Sequence, residues 1–428
     1  MKSHLLILFF FVFSFVAYGQ TPIIYDLDSY KRVDIDYRTT TFSPDLLIEY
    51  DKTLNTPGQE KFYGVNIGGY YRDRHLINDE KNQKSYYCRV ALNANAGSLT
   101  RFNLNYDYEY INRSYSDLAY FKTGFDISSN TNYGRDFNQF KDFKQDLRLS
   151  YDIGFGFGRL EIVNNAWLGA RILEELSKNE QLTMVPEADG MKELFDVIGD
   201  LEFERVMDGR LMTMNRLEKM IEYMEQNEFI DDGSIPAFVT IYDAFRYESF
   251  FIRQSGERLE FTLNPIVQGN YVWNELSGLG VLGFNSSVQP GFEGSIEYES
   301  HKNGDLEYYS IKSIGGTIGY FERFQEGGGD TETIIAGDLN FNYTYRYLPS
   351  LRTNLEFSTS VTGSVVKLDD YSSILNVMSR LSYFYYFSPA TQLVLGVNFQ
   401  YTDNEFQIKE YQPSIRTRFS IDVVHAIR

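Results

Sequence analysis

Residues 147–157 read LRLSYDIGFGF, and this stretch decides the fold. Large apolar residues occupy every second position: Leu147, Leu149, Tyr151, Ile153, Phe155 and Phe157. Because successive side chains of a β-strand point to opposite faces, the strand has one apolar face and one polar face. The run of 11 residues is about twice the usual strand length of ~5–6 residues.

The same alternation recurs at 102–110, 339–347, 393–401 and 415–423. A soluble antiparallel sandwich also alternates, but the length of these runs and their large apolar residues favour strands that cross a membrane. With 34 Tyr and 34 Phe, the chain is 16% aromatic, which suits strands whose ends lie at membrane interfaces. The sequence therefore predicts an all-β transmembrane antiparallel β-barrel.

The alternating segments predict about 14 strands, with 12 to 16 possible, and barrels of single bacterial chains have even strand numbers. The predicted strands lie at 44–51, 61–73, 85–96, 100–112, 117–131, 144–160, 258–273, 280–299, 305–322, 332–347, 351–366, 373–387, 391–404 and 409–427. Short joints follow strands 8, 10 and 12, and longer polar joints follow the strands between them. If both termini are periplasmic, the short joints are periplasmic turns.

The first 19 residues predict a cleaved secretory signal. Lys2 precedes the apolar run 5–16, and Ala17-Tyr18-Gly19 places small residues where a signal peptidase cleaves, before Gln20. The run is shorter than the ~20 residues that a spanning helix needs. We therefore expect export to the outer membrane of a Gram-negative bacterium.

The segment between Val163 and Arg253 has a different character. It holds seven of the nine methionines and shows helical spacing of apolar residues, as at Leu194, Ile198 and Leu201. It also carries 19 acidic and 9 basic residues, so −10 of the net charge of −19 lies here. The sequence predicts three to five helices in an insert that follows the sixth strand. By the parity of the joints it lies in the periplasm, and a helical plug inside the lumen is the alternative.

These observations divide the chain into four parts. The predicted boundaries are a signal peptide at 1–19, a first barrel part of about six strands at 20–162, a helical domain at 163–256 and a second barrel part of about eight strands at 257–428.

No recognisable catalytic or metal-binding motif is present in the sequence. The four histidines, His4, His75, His301 and His425, are far apart, and no CxxC or HExxH spacing occurs. We therefore expect no enzymatic activity, no cofactor and no metal site, with an outer-membrane hydrolase as a distant alternative. The net charge of −19 argues against a nucleic-acid partner.

The polar face of the strands predicts a charged lumen. The candidates are Asn103, Asp107, Glu109, Arg148, Asp152, Arg346, Arg416, Arg418 and Asp422. Side chains of both signs set selectivity across a water-filled pore, or they pair with one another and fill the lumen. A barrel of about 14 strands is wide enough for a channel unless it is plugged.

The chain resembles outer-membrane β-barrel proteins of Bacteroidota-type bacteria that carry a helical insert. The resemblance lies in Ala17-Tyr18-Gly19 before Gln20, in the Tyr- and Asn-rich strands, and in the stretch Phe157-Gly158-Arg159-Leu160-Glu161-Ile162-Val163 that leads into an Ala- and Leu-spaced helix. It implies the fold and the outer membrane as the location, but no particular activity.

Three functions remain open from the sequence. The first is a passive pore for small polar solutes, and the second is a non-catalytic scaffold or assembly component whose residues 163–253 bind another envelope protein. The hydrolase is the third. In each case we expect the barrel to contact outer-membrane lipid and lipopolysaccharide.

Overall fold

The computed structural model of the chain describes most of its length. The described residues are 27, 30, 35–51, 62–97, 100–135, 140–203, 209–247, 253–276, 280–304, 306–325, 331–367, 371–388, 391–405 and 414–425. The predicted signal peptide lies outside them.

The described residues form fourteen β-strands, each of at least 12 residues. They are β1 (Ile35–Asp51), β2 (Phe62–Asn78), β3 (Asn82–Gly97), β4 (Thr100–Ser116), β5 (Ala119–Arg135), β6 (Phe140–Ile162), β7 (Gln254–Leu276), β8 (Gly280–Gly304), β9 (Tyr308–Gln325), β10 (Glu332–Ser350), β11 (Thr353–Lys367), β12 (Tyr371–Ser388), β13 (Thr391–Glu405) and β14 (Ser414–His425). The predicted fold class is confirmed: the chain is an antiparallel β-barrel with inserted helices.

Each strand pairs with its neighbours in sequence, in the order β1 to β14. Within the described residues no ladder joins β14 to β1. The connections after β2, β4, β8, β10 and β12 are only two or three residues long, and we call their side of the barrel the turn end. The connections on the opposite side, which we call the loop end, range from two residues at 98–99 to ten residues at 52–61.

The sheet curls so that the polar faces of its strands meet. Arg113 on β4 lies 2.8 Å from Glu260 on β7, although three strand spacings would separate them by about 14 Å in a flat sheet. The opposite face carries large exposed apolar side chains. They include Phe121, Phe125, Leu149, Ile153, Phe155, Phe157, Leu263, Phe292, Ile296, Ile314, Ile318, Leu339, Phe357, Phe419 and Ile421.

Four helices lie between β6 and β7 in the part of the chain that the structure describes: α1 (Asn164–Lys178), α2 (Ala188–Phe203), α3 (Gly209–Gln226) and α4 (Ile235–Tyr247). Their apolar faces form a buried core that includes Leu173, Leu194, Ile198, Leu217 and Ile241. None of the described helices is both long and apolar enough to cross a membrane.

The helical core is completed by residues from outside the helices. Leu27 and Tyr30 precede the first strand and belong to this core. Leu306, in the connection after β8, and Leu348, near the turn end of β10, are buried in it as well. The helices therefore pack against the rim of the turn end, because the barrel residues that they contact lie in or beside its turns.

Strand β1 begins at Ile35, well before the predicted start at 44. The prediction used apolar alternation, and the early part of β1 lacks it because Asp36, Arg38 and Thr40 occupy the outer positions. These positions belong to the outer face. Thr40 lies in a row of cross-strand partners that runs through Asp73, Cys88, Tyr108 and Ile127 to Leu149. Leu149 is one of the exposed apolar residues of the outer face. Arg38 pairs with Asp73 at 2.6 Å, and His75 lies 2.6 Å from Asp36.

The paired ends of β6 and β7 bend at two glycines with positive φ, Gly158 at 84° and Gly256 at 112°. A Cβ atom at Gly158 would lie 2.1 Å from the carbonyl oxygen of Glu257, and one at Gly256 would lie 2.2 Å from that of Arg159. Only glycine adopts this backbone without strain at so close an approach. Beyond the bend, residues 159–162 of β6 no longer pair with β5 and pair with 254–257 of β7, of which Gly256 and Glu257 also pair with β8. We call these paired ends of β6 and β7 the tip, and the helical domain extends from it.

We expect Gly158→Val to destabilise the barrel by about 2 kcal/mol or more, because it adds a steric clash to an unfavourable backbone conformation. The measurement is the temperature at which the folded barrel loses its compact migration on an SDS gel. Gly269→Val on β7 is the control, since no atom lies within 4 Å of its Cβ position. Equal losses in the two variants would contradict the proposed role of the bend.

Candidate functional site

The tip of β6 reaches across the turn end of the barrel. The guanidinium of Arg159 donates to Asn78 Oδ1 at 2.7 Å and to the carbonyl oxygens of Asp79 at 2.7 Å and Glu80 at 3.0 Å. Gln83 Nε2 donates to the carbonyl oxygen of Leu160 at 2.8 Å. Four strand spacings separate β2 from β6, about 19 Å along a sheet, so these contacts cross the mouth of the lumen.

A buried charge cluster lies on the inner face behind this tip. Glu260 accepts from Arg113 Nε at 2.8 Å, from Lys122 Nζ at 2.7 Å and from the Tyr120 hydroxyl at 3.0 Å. Lys122 also lies 3.4 Å from Asp152. One carboxylate thus holds two cations from two other strands, and the side chain of Glu260 is only 4% exposed.

A second polar cluster extends the first around the wall. Arg258 pairs with Glu299 at 2.7 Å, and Nε2 of His301 lies 2.6 Å from the other oxygen of Glu299. Nδ1 of His301 lies 2.6 Å from the hydroxyl of Tyr309. Further along, Arg346 donates to Glu356 at 2.7 Å. The inner wall near the turn end is therefore a chain of paired charges.

Arg253 joins the helical domain to this wall. Its guanidinium lies over the rings of Trp167 and Tyr309, at 4.6 and 5.4 Å from their centroids. It donates to the carbonyl oxygen of Leu306 at 3.2 Å. The same oxygen also accepts from Trp167 Nε1 at 2.9 Å. Burial lowers the pKa of Arg253 to about 9, and the positive charge of Arg171 acts in the same direction.

A cavity of about 880 Å³ opens on the inner face toward the loop end. We call it the vestibule. Its lining includes five charged residues, Arg89, Asp107, Asp146, Arg148 and Arg323. The remaining lining residues are mostly amides and hydroxyls: Asn105, Ser128, Ser129, Asn130, Gln268, Asn270, Asn285, Ser287 and Gln289.

The structure places the nine predicted lumen residues in three groups. Asp107 and Arg148 line the vestibule, and Asn103 bonds to Asn132 beside it. Nearer the turn end, Asp152 approaches Lys122 and Arg346 pairs with Glu356, while Glu109 lies opposite Asp126 in the ladder.

The other three predicted residues lie on β14. Arg416 lies opposite Gln400, Arg418 opposite Asn398 and Asp422 opposite Val394 in the ladder with β13. They are not brought together with the vestibule or with the buried clusters, so their facing the lumen stays a prediction.

Several residues of the inner wall were not predicted from the sequence. Glu260 and Arg113 are 147 residues apart in the chain and His301 and Tyr309 are eight apart, so no local motif connects either pair. The signal that was present is the alternation itself. Glu260 lies between the apolar Leu259 and Phe261, as an inward position of an alternating strand does.

No protein-family model and no curated protein matches this chain. Among solved structures, the chain is similar to OmpTdeltaL8, a loop L8 deletion mutant of OmpT, an outer membrane protein of Vibrio cholerae. The match covers 91% of this chain and 99% of that chain, with 9% identity and a TM-score of 0.24. The assignment of the fold therefore rests on the strand ladders described above.

We expect Glu260→Ala to cost about 3–5 kcal/mol of unfolding free energy, because it leaves Arg113 and Lys122 buried without their shared carboxylate. The measurement is the urea midpoint of the folded barrel in detergent. Lys302→Ala is the control: it removes an exposed pair with Glu257 at 3.5 Å, whose loss costs at most about 1 kcal/mol. If the two midpoints shift alike, the cluster does not stabilise the barrel.

Proposed function

We propose that the protein is a non-catalytic outer-membrane channel for small polar solutes, with its turn end in the periplasm. The observation that carries the proposal is a polar inner face that leads from the vestibule to a turn end that the tip of β6 crosses, with the helical domain packed on its rim. The structure is then a closed state, and opening requires the tip and the helices to move off the turn end.

The outer face supports the membrane location. Its exposed apolar side chains extend around β5 to β14, whereas the largest apolar patch on a soluble monomer is usually about 300–600 Å². Such a surface is stable in contact with the hydrocarbon of lipid and lipopolysaccharide, which we propose as the molecules that surround the barrel.

The test is single-channel recording in planar bilayers of the full-length chain beside a variant that lacks residues 163–253. Ile162 and Gln254 are cross-strand partners in the ladder, so an Asn-Gly turn can join them without disturbing the barrel. The deletion leaves Arg159 in the tip, so the variant also carries Arg159→Ala, which removes the contacts with Asn78, Asp79 and Glu80. We expect the full-length chain to be mostly closed and this deletion variant to conduct steadily.

Two results would count against this proposal. Silence from both proteins, with each barrel shown to be folded, would exclude a channel. Equal and steady current from both would show that the helical domain does not close the lumen. Full-length protein that carries Lys141→Ala is a matched control, because it removes a partly exposed ion pair with Glu275 at the loop end.

A second function, docking of an envelope protein, is favoured by the surface of the helical domain. Ile235 is 75% and Val239 50% exposed one turn apart on α4, in a domain with 19 acidic and 9 basic residues. Exposed apolar residues grouped on a charged surface are typical of interaction sites.

A photo-crosslinking amino acid at Val239 tests the docking function in cells. We expect a discrete protein adduct from Val239 and none from the same substitution at Glu222, an exposed polar position on α3. Absence of an adduct at both positions would speak against docking through this face.

A further inference from the structure

The wall of the vestibule consists mainly of neutral polar side chains. Nine of its sixteen lining residues are Asn, Gln or Ser. An amide both donates and accepts hydrogen bonds, and a hydroxyl does the same. The wall therefore presents many paired donors and acceptors to whatever enters from the loop end.

The charges in the vestibule are compensated by their neighbours. Asp146 pairs with Lys144 at 3.0 Å, and Arg148 lies 3.9 Å from Glu293. Arg323 pairs with Glu332 at 3.3 Å. Arg89 lies directly opposite Asp107 in the ladder of β3 and β4. Little net charge remains in the vestibule to select an ion of either sign.

Contacts with two of these charged residues fix the orientation of two amides. The amino group of Asn270 donates a hydrogen bond to Asp146. With the Gln289 amide turned so that its oxygen faces Arg323, that oxygen accepts from Nε at 2.7 Å and from Nη2 at 3.1 Å. The carbonyl oxygen of Asn270 and the amino group of Gln289 are the ends that remain for a ligand, and they are held in place before it arrives.

An asparagine cluster lies beside the cavity. Asn105, which lines it, donates to Asn103 at 2.7 Å, and Asn132 donates to Asn130 at 2.9 Å. These side chains hold one another, so Asn105 and Asn130 present ordered amides to the vestibule. Ordered groups lose little conformational entropy when a ligand binds.

We propose that the vestibule binds neutral, hydroxyl-rich solutes of the short-oligosaccharide class. Adjacent hydroxyls of a sugar each donate and accept, and they match a wall of fixed amides better than an ion or an apolar molecule does. The volume of about 880 Å³ lies within the range of ~300–1,000 Å³ that is usual for ligand sites. The inference rests on the proposed channel function for the route by which the solute arrives and leaves.

The experiment is isothermal titration of the full-length protein in detergent with maltotriose and, separately, with gluconate. We expect maltotriose to bind and gluconate to bind more weakly. The double substitution Asn270→Leu and Gln289→Leu should weaken maltotriose binding at least about tenfold, which corresponds to about 1.4 kcal/mol. Asn342→Leu, an inward position outside the cavity that is opposite Ser313 and Ser360, should leave it unchanged.

The outcomes separate this inference from the channel. No maltotriose binding by the unmodified protein, stronger binding of gluconate, or equal weakening by Asn342→Leu would each overturn the sugar site. Bilayer current without maltotriose binding would remove the sugar site and keep the channel. Binding that depends on Asn270 and Gln289, without current from any variant, would keep the site and remove the channel.

Discussion

Each strand of this protein must satisfy two environments at once, and the rest of the structure depends on that constraint. The strand ladders satisfy the hydrogen bonds of the backbone, so the side chains alone decide which face of a strand is apolar and which is polar. Every apolar residue placed outward forces its neighbours inward, and these neighbours include Lys122, Glu260 and Arg346. Charges confined to one concave surface are stable only when they neutralise one another. The paired clusters of the inner wall are therefore the counterpart of the apolar outer face.

The helical domain is attached to the barrel through a small junction. Its junction combines an apolar contact, where Leu306 and Leu348 enter the helical core, with the guanidinium of Arg253 between two aromatic rings. Several weak interactions, rather than one large apolar interface, hold such a junction together. In the proposed channel, opening would displace the domain as a unit while its own core stays packed, and a junction of this kind would allow that.

The sequence allowed the strands to be predicted wherever one face was uniformly apolar, as at 147–157. It failed at the start of β1, where charged residues occupy the outer positions and period-2 alternation gives no signal. The helices could be predicted from their apolar stripes, and they lie within the predicted insert.

The candidate site could be predicted only in part. Alternation shows that Asp107 and Arg148 share the inner face, but it does not show that they line one cavity with Arg89 and Arg323. That depends on how far the sheet curls, which is a property of all the ladders together. The bend at Gly158 was present in the sequence only as one glycine among 33, and its positive φ follows from the close approach of Glu257.

The ion pair of Arg38 with Asp73 and the contact of Asp36 with His75 give the barrel a distinct side. They lie on the outer face of β1 and β2, where the other strands carry Phe, Ile and Leu. If the outer face lies in lipid as proposed, the charged groups on β1 and β2 would draw water and headgroups toward them, and the membrane would be thinner on that side. The apolar outer face of β6 and β7 would have no such effect. The barrel would then not be equivalent in all directions within the plane of the membrane.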